Sequence, residues 1–94
     1  MTATVRLPTP LRGYAGGASE LALEGADVQS ALDDLRARHA ELVERLLDRS
    51  GGLRPFVNLY LGSTDVRELD GLATPLRAGD VLTVLPAVAG GSPR

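Results

Sequence analysis

A single change of hydrophobic period most constrains the fold of this chain. Apolar and polar side chains alternate in "TATVRL" and "ASELAL", which is typical of strands that bury one face. From Asp27 onward, "DVQSALDDLRARH" instead repeats its apolar residues every three or four positions, which predicts a helix capped by Asp27. Further helical turns are predicted over 41–47, and the period returns to two in "FVNLYL" and "VLTVLP".

The predicted element order is strand, strand, helix, strand, short strand, strand, with the short strand over 66–69. One helix covers only one face of a sheet, so a two-layer α+β sandwich is expected. The apolar last strand, "VLTVL", fits the interior of the sheet, and we place it beside the first strand. The prediction is a β-grasp domain over 1–86, with a mixed sheet of four to five strands packed on one main helix. Residues 87–94 are predicted to form a flexible tail.

Composition excludes several classes of function. The 94 residues fit one domain, carry a net charge of -2, and include no cysteine, no lysine and one histidine. A cysteine nucleophile, a thiolate zinc site and a Schiff-base lysine are therefore excluded, and we predict no catalytic residue, no metal and no bound cofactor. The acidic balance disfavours nucleic acid. No signal peptide or membrane-spanning run is evident, so a cytoplasmic protein is expected.

The C-terminal segment carries the most specific motif. In "AGDVLTVLPAVAGGSPR", a Gly-Asp turn leads into an apolar strand, a proline and a run of small residues that contains Gly90 and Gly91. A glycine pair alone is weak evidence, and a run of small residues is also typical of an unstructured chain end. Together with "VRLPTPLR", "ERLLD" and "RPFVNLYLGSTDVR", however, the segment resembles the ubiquitin-like sulfur carriers of the ThiS/MoaD family, most closely their CysO branch.

The resemblance implies a chemistry for the tail. In this family a partner, an E1-like adenylyltransferase, uses ATP and magnesium to adenylate the terminal glycine, which sulfur then converts to a thiocarboxylate. The resemblance assigns this role to Gly91. Slim residues would let the tail thread the partner's narrow channel, because they obstruct it least. The residues that would enter the channel are Ala87, Val88, Ala89 and Gly90.

The resemblance also implies a processing step and a sulfur acceptor. Gly91 is joined to Ser92 by an amide, so its carboxylate is not free until residues 92–94 are removed. A zinc protease of the JAMM type is the expected agent, and the alternative is that 92–94 are a remnant without function. The acceptor would be a PLP-dependent cysteine synthase or another thio-transfer synthase.

A second function stays open. The alternative to a sulfur carrier is a ubiquitin-like protein modifier, joined through Gly91 to lysines of other proteins as the small archaeal modifiers are. Both functions use an adenylated glycine and differ in the product. The absent lysines exclude only chains built on this protein itself, so they do not decide between the two.

A docking surface is predicted on the face of the sheet that the helix leaves open. Alternation places Phe56, Tyr60 and Leu85 there, and large apolar side chains on an otherwise polar face indicate a partner site. The alternative is that the loop before the second strand folds over some of them. Arg12 and Arg54 are further candidates for contact with an acidic patch on a partner.

Overall fold

The computed structural model describes residues 2–86, which form a five-stranded sheet in the order β2-β1-β5-β3-β4. In chain order the elements are β1 (Thr2–Arg6), β2 (Glu20–Glu24), α1 (Val28–Arg38), α2 (Ala40–Leu46), β3 (Val57–Leu61), β4 (Thr64–Asp65) and β5 (Val81–Pro86). The β1–β5 pair is parallel and the other pairs are antiparallel. This mixed sheet with α1 as its main helix confirms the predicted β-grasp architecture.

Helix α1 begins at the predicted cap. The Asp27 carboxylate accepts a hydrogen bond from the Ser30 amide at 2.8 Å, and the Ser30 hydroxyl accepts one from the Asp27 amide at 3.2 Å. The Ser30 amide and hydroxyl stabilise the ionised carboxylate, so the pKa of Asp27 lies below its ordinary value. The chain leaves helical geometry at His39, which separates α1 from α2.

The core lies between α1 and one face of the sheet. Alternate strand residues are buried against apolar helix residues at helical spacing, as the two periods predict. The buried helix residues of α1 are Val28, Ala31, Leu32 and Leu35. The buried strand residues include Val5, Leu23, Val57, Leu59, Leu82 and Val84. Burial of each large side chain contributes about 1.5–3 kcal/mol, which makes this covered face the main source of stability.

The last strand occupies the interior of the sheet, as predicted. It pairs with β1 from Thr4 opposite Val81 to Arg6 opposite Thr83. On its other side β5 stays paired with β3 until Pro86, which lies opposite Val57. We call this end of the sheet the root, since residues 87–94 continue from it.

The outer edge of β2 is sealed by side chains of α1. The Arg38 guanidinium donates to the Ala22 carbonyl at 2.8 Å, and the Asp34 carboxylate accepts from the Glu24 amide at 3.4 Å. Arg38 and Asp34 also form an ion pair at 2.8 Å. Because unpaired edge groups invite pairing with other chains, this arrangement protects the sheet.

Two local predictions need correction. The short strand predicted over 66–69 is wrong, because Val66–Glu68 form a 3-10 turn and the edge strand comes just before it, at Thr64–Asp65. The Asp65 carboxylate accepts from the Arg67 amide at 2.9 Å and so starts the turn. The predicted loop after β1 also contains a 3-10 helix, Thr9–Ala15, which begins with a proline in its first turn and buries Ala15.

Candidate functional site

The open face of the sheet carries a polar row that crosses all five strands. The strand registers align Glu20, Arg6, Thr83, Tyr60 and Asp65 in that order. Arg6 and Glu20 form an ion pair at 3.0 Å across the β1–β2 pair. A face of this kind contacts solvent or a partner, because the helices pack on the other side.

Two large apolar side chains stand next to this row at the root. Leu85, opposite Asn58, is 44% exposed, and Phe56, in the turn before β3, is 72% exposed. Tyr60 is half-buried. The loop before β2 therefore leaves Phe56 and Leu85 open to solvent, as the predicted placement requires. Their function in docking stays a prediction.

Arg67 is a residue of this surface that the sequence did not indicate. Its guanidinium donates to the Asn58 side-chain oxygen at 3.2 Å and to the Arg54 carbonyl at 2.9 Å. Asn58 lies opposite Leu85, so Arg67 is held beside the strand pair that ends at the root. The contact depends on how the turn after β4 returns across β3, for which the sequence holds no pattern.

The two predicted arginines line separate cavities. Arg12 donates from Nε to the Leu7 carbonyl at 3.1 Å, and Arg54 donates from Nε to the Glu44 carbonyl at 2.9 Å. The first cavity has a volume of about 290 Å³ and is lined by Arg6, Leu7, Arg12, Ser19, Glu20 and Thr83. The second has a volume of about 520 Å³ and is lined by Arg36, Glu44, Leu47, Asp48, Arg49 and Arg54.

The arrangement suits binding to a protein surface. It combines exposed apolar side chains with guanidinium groups at the root, and interfaces are enriched in aromatic residues and arginine. Among residues 2–86, no group of three histidine, cysteine or acidic side chains is arranged to hold a metal. Within the same range, no helix is long and apolar enough to cross a membrane.

The residues to which the family resemblance assigns chemistry belong to the tail that follows residue 86. The proposed adenylation residue, the channel residues and the processing position lie outside the described residues. These positions are Ala87, Val88, Ala89, Gly90, Gly91 and Ser92. The described part of the site is therefore the root and the open face from which the tail continues.

Comparison with known proteins decides the family. The profile of the ThiS family matches residues 5–91, from the middle of β1 to the second glycine of the C-terminal pair. The chain belongs to the ThiS family. The match begins within β1, includes the other four strands and stops before Ser92, so the last three residues lie outside the matched range.

Individual relatives agree with the family. The chain is 44% identical over 93 residues to sulfur carrier protein CysO of Mycobacterium tuberculosis, covering 97% of this chain and 100% of that protein. It is also similar to a chain in the crystal structure of the Amycolatopsis orientalis BexX/CysO complex. That similarity has a TM-score of 0.86 and 43% identity, and covers 95% of this chain and 99% of the other.

A third relative has a different name. The chain is 40% identical over 68 residues to small archaeal modifier protein 3 of Haloferax volcanii, covering 72% of this chain and 73% of that protein.

The family match and the similarity to CysO confirm the predicted resemblance to ubiquitin-like carriers of the CysO branch. Proteins of the ThiS and CysO type are small carriers, in agreement with the prediction that this chain is not an enzyme.

Proposed function

We propose that this chain is a sulfur carrier that holds sulfur as a thiocarboxylate on Gly91. The observation that carries the proposal is the match to the ThiS family, which runs through the β-grasp sheet and ends at Gly91. The similarity to CysO over nearly the whole chain supports the same reading. The protein supplies the carboxylate and a docking surface, and partner enzymes supply the catalysis.

The proposed chemistry proceeds in two steps on the partner. The Gly91 carboxylate attacks the α-phosphate of ATP, and pyrophosphate leaves with magnesium held by the adenylyltransferase. Hydrosulfide then attacks the activated carbonyl, AMP leaves, and the thiocarboxylate remains on Gly91. No electrons are gained or lost in either step. The adenylate is needed because a carboxylate is a poor acyl donor.

A hydrolysis step must come first in the full chain. The carbonyl of Gly91 is tied in an amide to Ser92, and the family match ends between these two residues. We propose that a JAMM-type zinc protease cuts this bond and releases Ser-Pro-Arg.

The open face is the proposed docking surface for the adenylyltransferase. Phe56 and Leu85 are exposed beside the root, and Tyr60 lies on the same face in the polar row. A partner that covers them would be positioned where the chain leaves the sheet. The carried sulfur would then pass to a biosynthetic acceptor, either a PLP-dependent cysteine synthase or another thio-transfer synthase.

The second candidate function is protein modification through Gly91. The observation that favours it is the 40% identity to small archaeal modifier protein 3. Activation is the same in both cases, but an isopeptide with a lysine of a target protein replaces the thiocarboxylate. Because this chain contains no lysine, every isopeptide bond it formed would involve a lysine of another protein.

The test compares the full chain with a chain that ends at Gly91. Candidate E1-like adenylyltransferases from the same genome are screened for ATP–pyrophosphate exchange with each form. We expect exchange only with the shorter form, followed by replacement of one oxygen by sulfur in its mass spectrum when hydrosulfide is added. Adding the protease should rescue the full chain with loss of Ser-Pro-Arg.

Three outcomes would contradict parts of this proposal. Exchange by both forms without protease would exclude the processing step. Exchange without any gain of sulfur, together with isopeptide adducts on other proteins, would favour the modifier. Absence of exchange with every candidate enzyme would overturn the activation of Gly91 itself.

A further inference from the structure

The charges of the molecule are distributed unevenly between the two ends of the sheet. At the root, the larger cavity is lined by three arginines and two carboxylates. Arg67 adds a further guanidinium beside it, through its hydrogen bond to the Arg54 carbonyl. The Asp65 carboxylate pairs with Arg67 at 3.9 Å, so the root holds four arginines against three carboxylates, a small positive excess in a chain whose net charge is -2.

The opposite end, where β5 begins, is acidic. Glu24 lies opposite Thr2 at the start of β1, Asp27 bridges to Pro75, and Asp80 immediately precedes β5. Arg77 lies three residues before Asp80, and its amide donates to the Asp80 carboxylate at 2.8 Å. The fold thus has a basic root and an acidic opposite end.

One carboxylate of the basic cavity is occupied by its own loop. Asp48 accepts hydrogen bonds from the Ser50 hydroxyl at 2.7 Å, the Ser50 amide at 2.9 Å and the Gly52 amide at 3.1 Å. The Ser50 hydroxyl contributes most to holding the pKa of Asp48 below its ordinary value. This carboxylate stabilises the turn before β3, and the nearby Arg54 charge also helps to keep its pKa low, so the cavity retains a negative group beside that arginine.

The guanidiniums of the root are oriented by backbone groups. Arg54 is half-buried and donates from Nε to the Glu44 carbonyl at the end of α2. Arg67 donates to the Arg54 carbonyl and the Asn58 side chain and forms an ion pair with the Asp65 carboxylate at 3.9 Å, while its own side chain is 39% exposed. An oriented arginine loses less side-chain entropy when it pairs with a carboxylate on a partner.

We propose that Arg49, Arg54 and Arg67 form a basic docking rim at the root, and that the adenylyltransferase presents carboxylates around the mouth of the channel that receives the tail. This inference rests on the proposed function, which supplies a partner at the root. Charge complementarity argues for an acidic protein surface. Nucleic acid fits less well, because exposed Phe56 and Leu85 interrupt the basic surface and the net charge is negative.

The rim would act mainly on the rate and orientation of encounter. Complementary charges steer association and fix the register of an interface. With a basic root and an acidic opposite end, an acidic channel mouth attracts the root and repels the other end. The tail would then arrive first, in the orientation that adenylation requires.

The first test uses hexaglutamate as the probe and does not depend on an enzyme. The ¹⁵N-labelled full chain is titrated with the peptide at low salt, and amide shifts are mapped along the chain. We expect the largest shifts at Arg49, Arg54 and Arg67, and their loss at high salt because screening weakens exposed pairs. Shifts spread evenly, or centred on Arg77, would overturn the rim.

The second test measures association with the adenylyltransferase that charges the chain ending at Gly91. Arg49→Glu and Arg67→Glu should each lower the association rate about tenfold at low salt, and much less at high salt. Arg77→Glu is the matched control, with the same charge change on an exposed arginine at the opposite end. Equal effects of the reversals at Arg67 and Arg77 would overturn the proposal.

A further pair of variants separates docking from a purely structural function of Arg67. Arg67→Lys keeps the charge and should retain most of the association rate, whereas Arg67→Gln should lose it without charge repulsion. A structural function alone would lower the melting temperature of both variants and leave the salt dependence of association unchanged. If no enzyme adenylates the chain, the proposed function is wrong. The hexaglutamate titration still tests whether the rim binds carboxylates.

Discussion

The two faces of the sheet are built by the same strands but differ in burial. On β5, Leu82 is fully buried beneath the helices, while Leu85, three residues later, is 44% exposed on the open face. Val5 and Leu59 are buried in the same core as Leu82. Their sequence neighbours Arg6 and Tyr60 lie with Thr83 in the polar row on the open face. The alternation thus separates the core from the proposed docking surface within single strands, so each can be changed without the other.

The largest expected effect comes from a matched pair of leucines on β5. Leu82→Ala removes a fully buried side chain and should lower the free energy of unfolding by about 3 kcal/mol. Leu85→Ala, the same chemical change on the open face, should cost less than about 1 kcal/mol. Urea unfolding of the two variants measures the difference, and equal losses would show that the open face also belongs to the core.

The second prediction concerns binding at the open face. Leu85→Asp and Tyr60→Asp should weaken binding to the adenylyltransferase by about tenfold or more, because a charge replaces apolar contact at the interface centre. Leu69→Asp is a matched control, since Leu69 is 45% exposed in the segment after β4 and lies outside the sheet. Titration calorimetry gives the affinities. Unfolded variants, or an equal loss for Leu69→Asp, would contradict a docking surface at this face.

A smaller effect is expected where the helix protects the edge of the sheet. Asp34→Ala removes the acceptor of the Glu24 amide and the partner of Arg38. Because exposed ion pairs contribute little, the free energy of unfolding should fall by less than about 1 kcal/mol. The Glu24 amide should nevertheless exchange with solvent faster, while the amide of buried Leu23, within the β1–β2 pair, stays protected. Unchanged exchange at Glu24 would mean that the edge is protected by other groups.

The smallest prediction is a pH dependence at the cap of α1. In the folded protein, hydrogen bonds from Ser30 lower the pKa of Asp27 below its ordinary value of 3.8. The ionised cap therefore stabilises the protein when the pH is above 3.8. This contribution is lost as pH falls through the lower pKa of the folded state. Asp27→Asn keeps a capping side chain without a titrating group. The melting temperatures of the two proteins should therefore differ near neutral pH and converge in acid; a constant difference would argue against titration of the cap.

Periodicity predicted the architecture because burial follows it closely. The capped helix at Asp27, the buried alternate residues and the central position of "VLTVL" all follow from which side chains avoid water. The short elements were less predictable. The prediction of a strand over 66–69 was wrong because a hydrogen bond from the Arg67 amide to the Asp65 carboxylate favours a turn. The hydrophobic pattern of a sequence does not reveal such a hydrogen bond.

Some residues of the candidate site could be predicted from the sequence, and others could not. Exposure of Phe56 and Leu85 followed from alternation and from the position of the helix. Arg67 could not be found in this way, because its contacts to Asn58 and Arg54 join residues 9 and 13 positions apart through the path of a turn. The family resemblance, in contrast, rested on the C-terminal segment and needed no knowledge of contacts.

The parallel pairing of β1 with β5 has a consequence for the order of events during synthesis. Thr4 lies opposite Val81, so the centre of the sheet joins segments from the beginning and the end of the domain. Such long-range contacts form slowly, since a long loop must close before they stabilise the fold. While the ribosome still holds Val81–Pro86, β1 and β3 lack their shared neighbour, and the nascent domain cannot complete its sheet. Folding of this domain is therefore expected only after translation of β5, so the root is completed last.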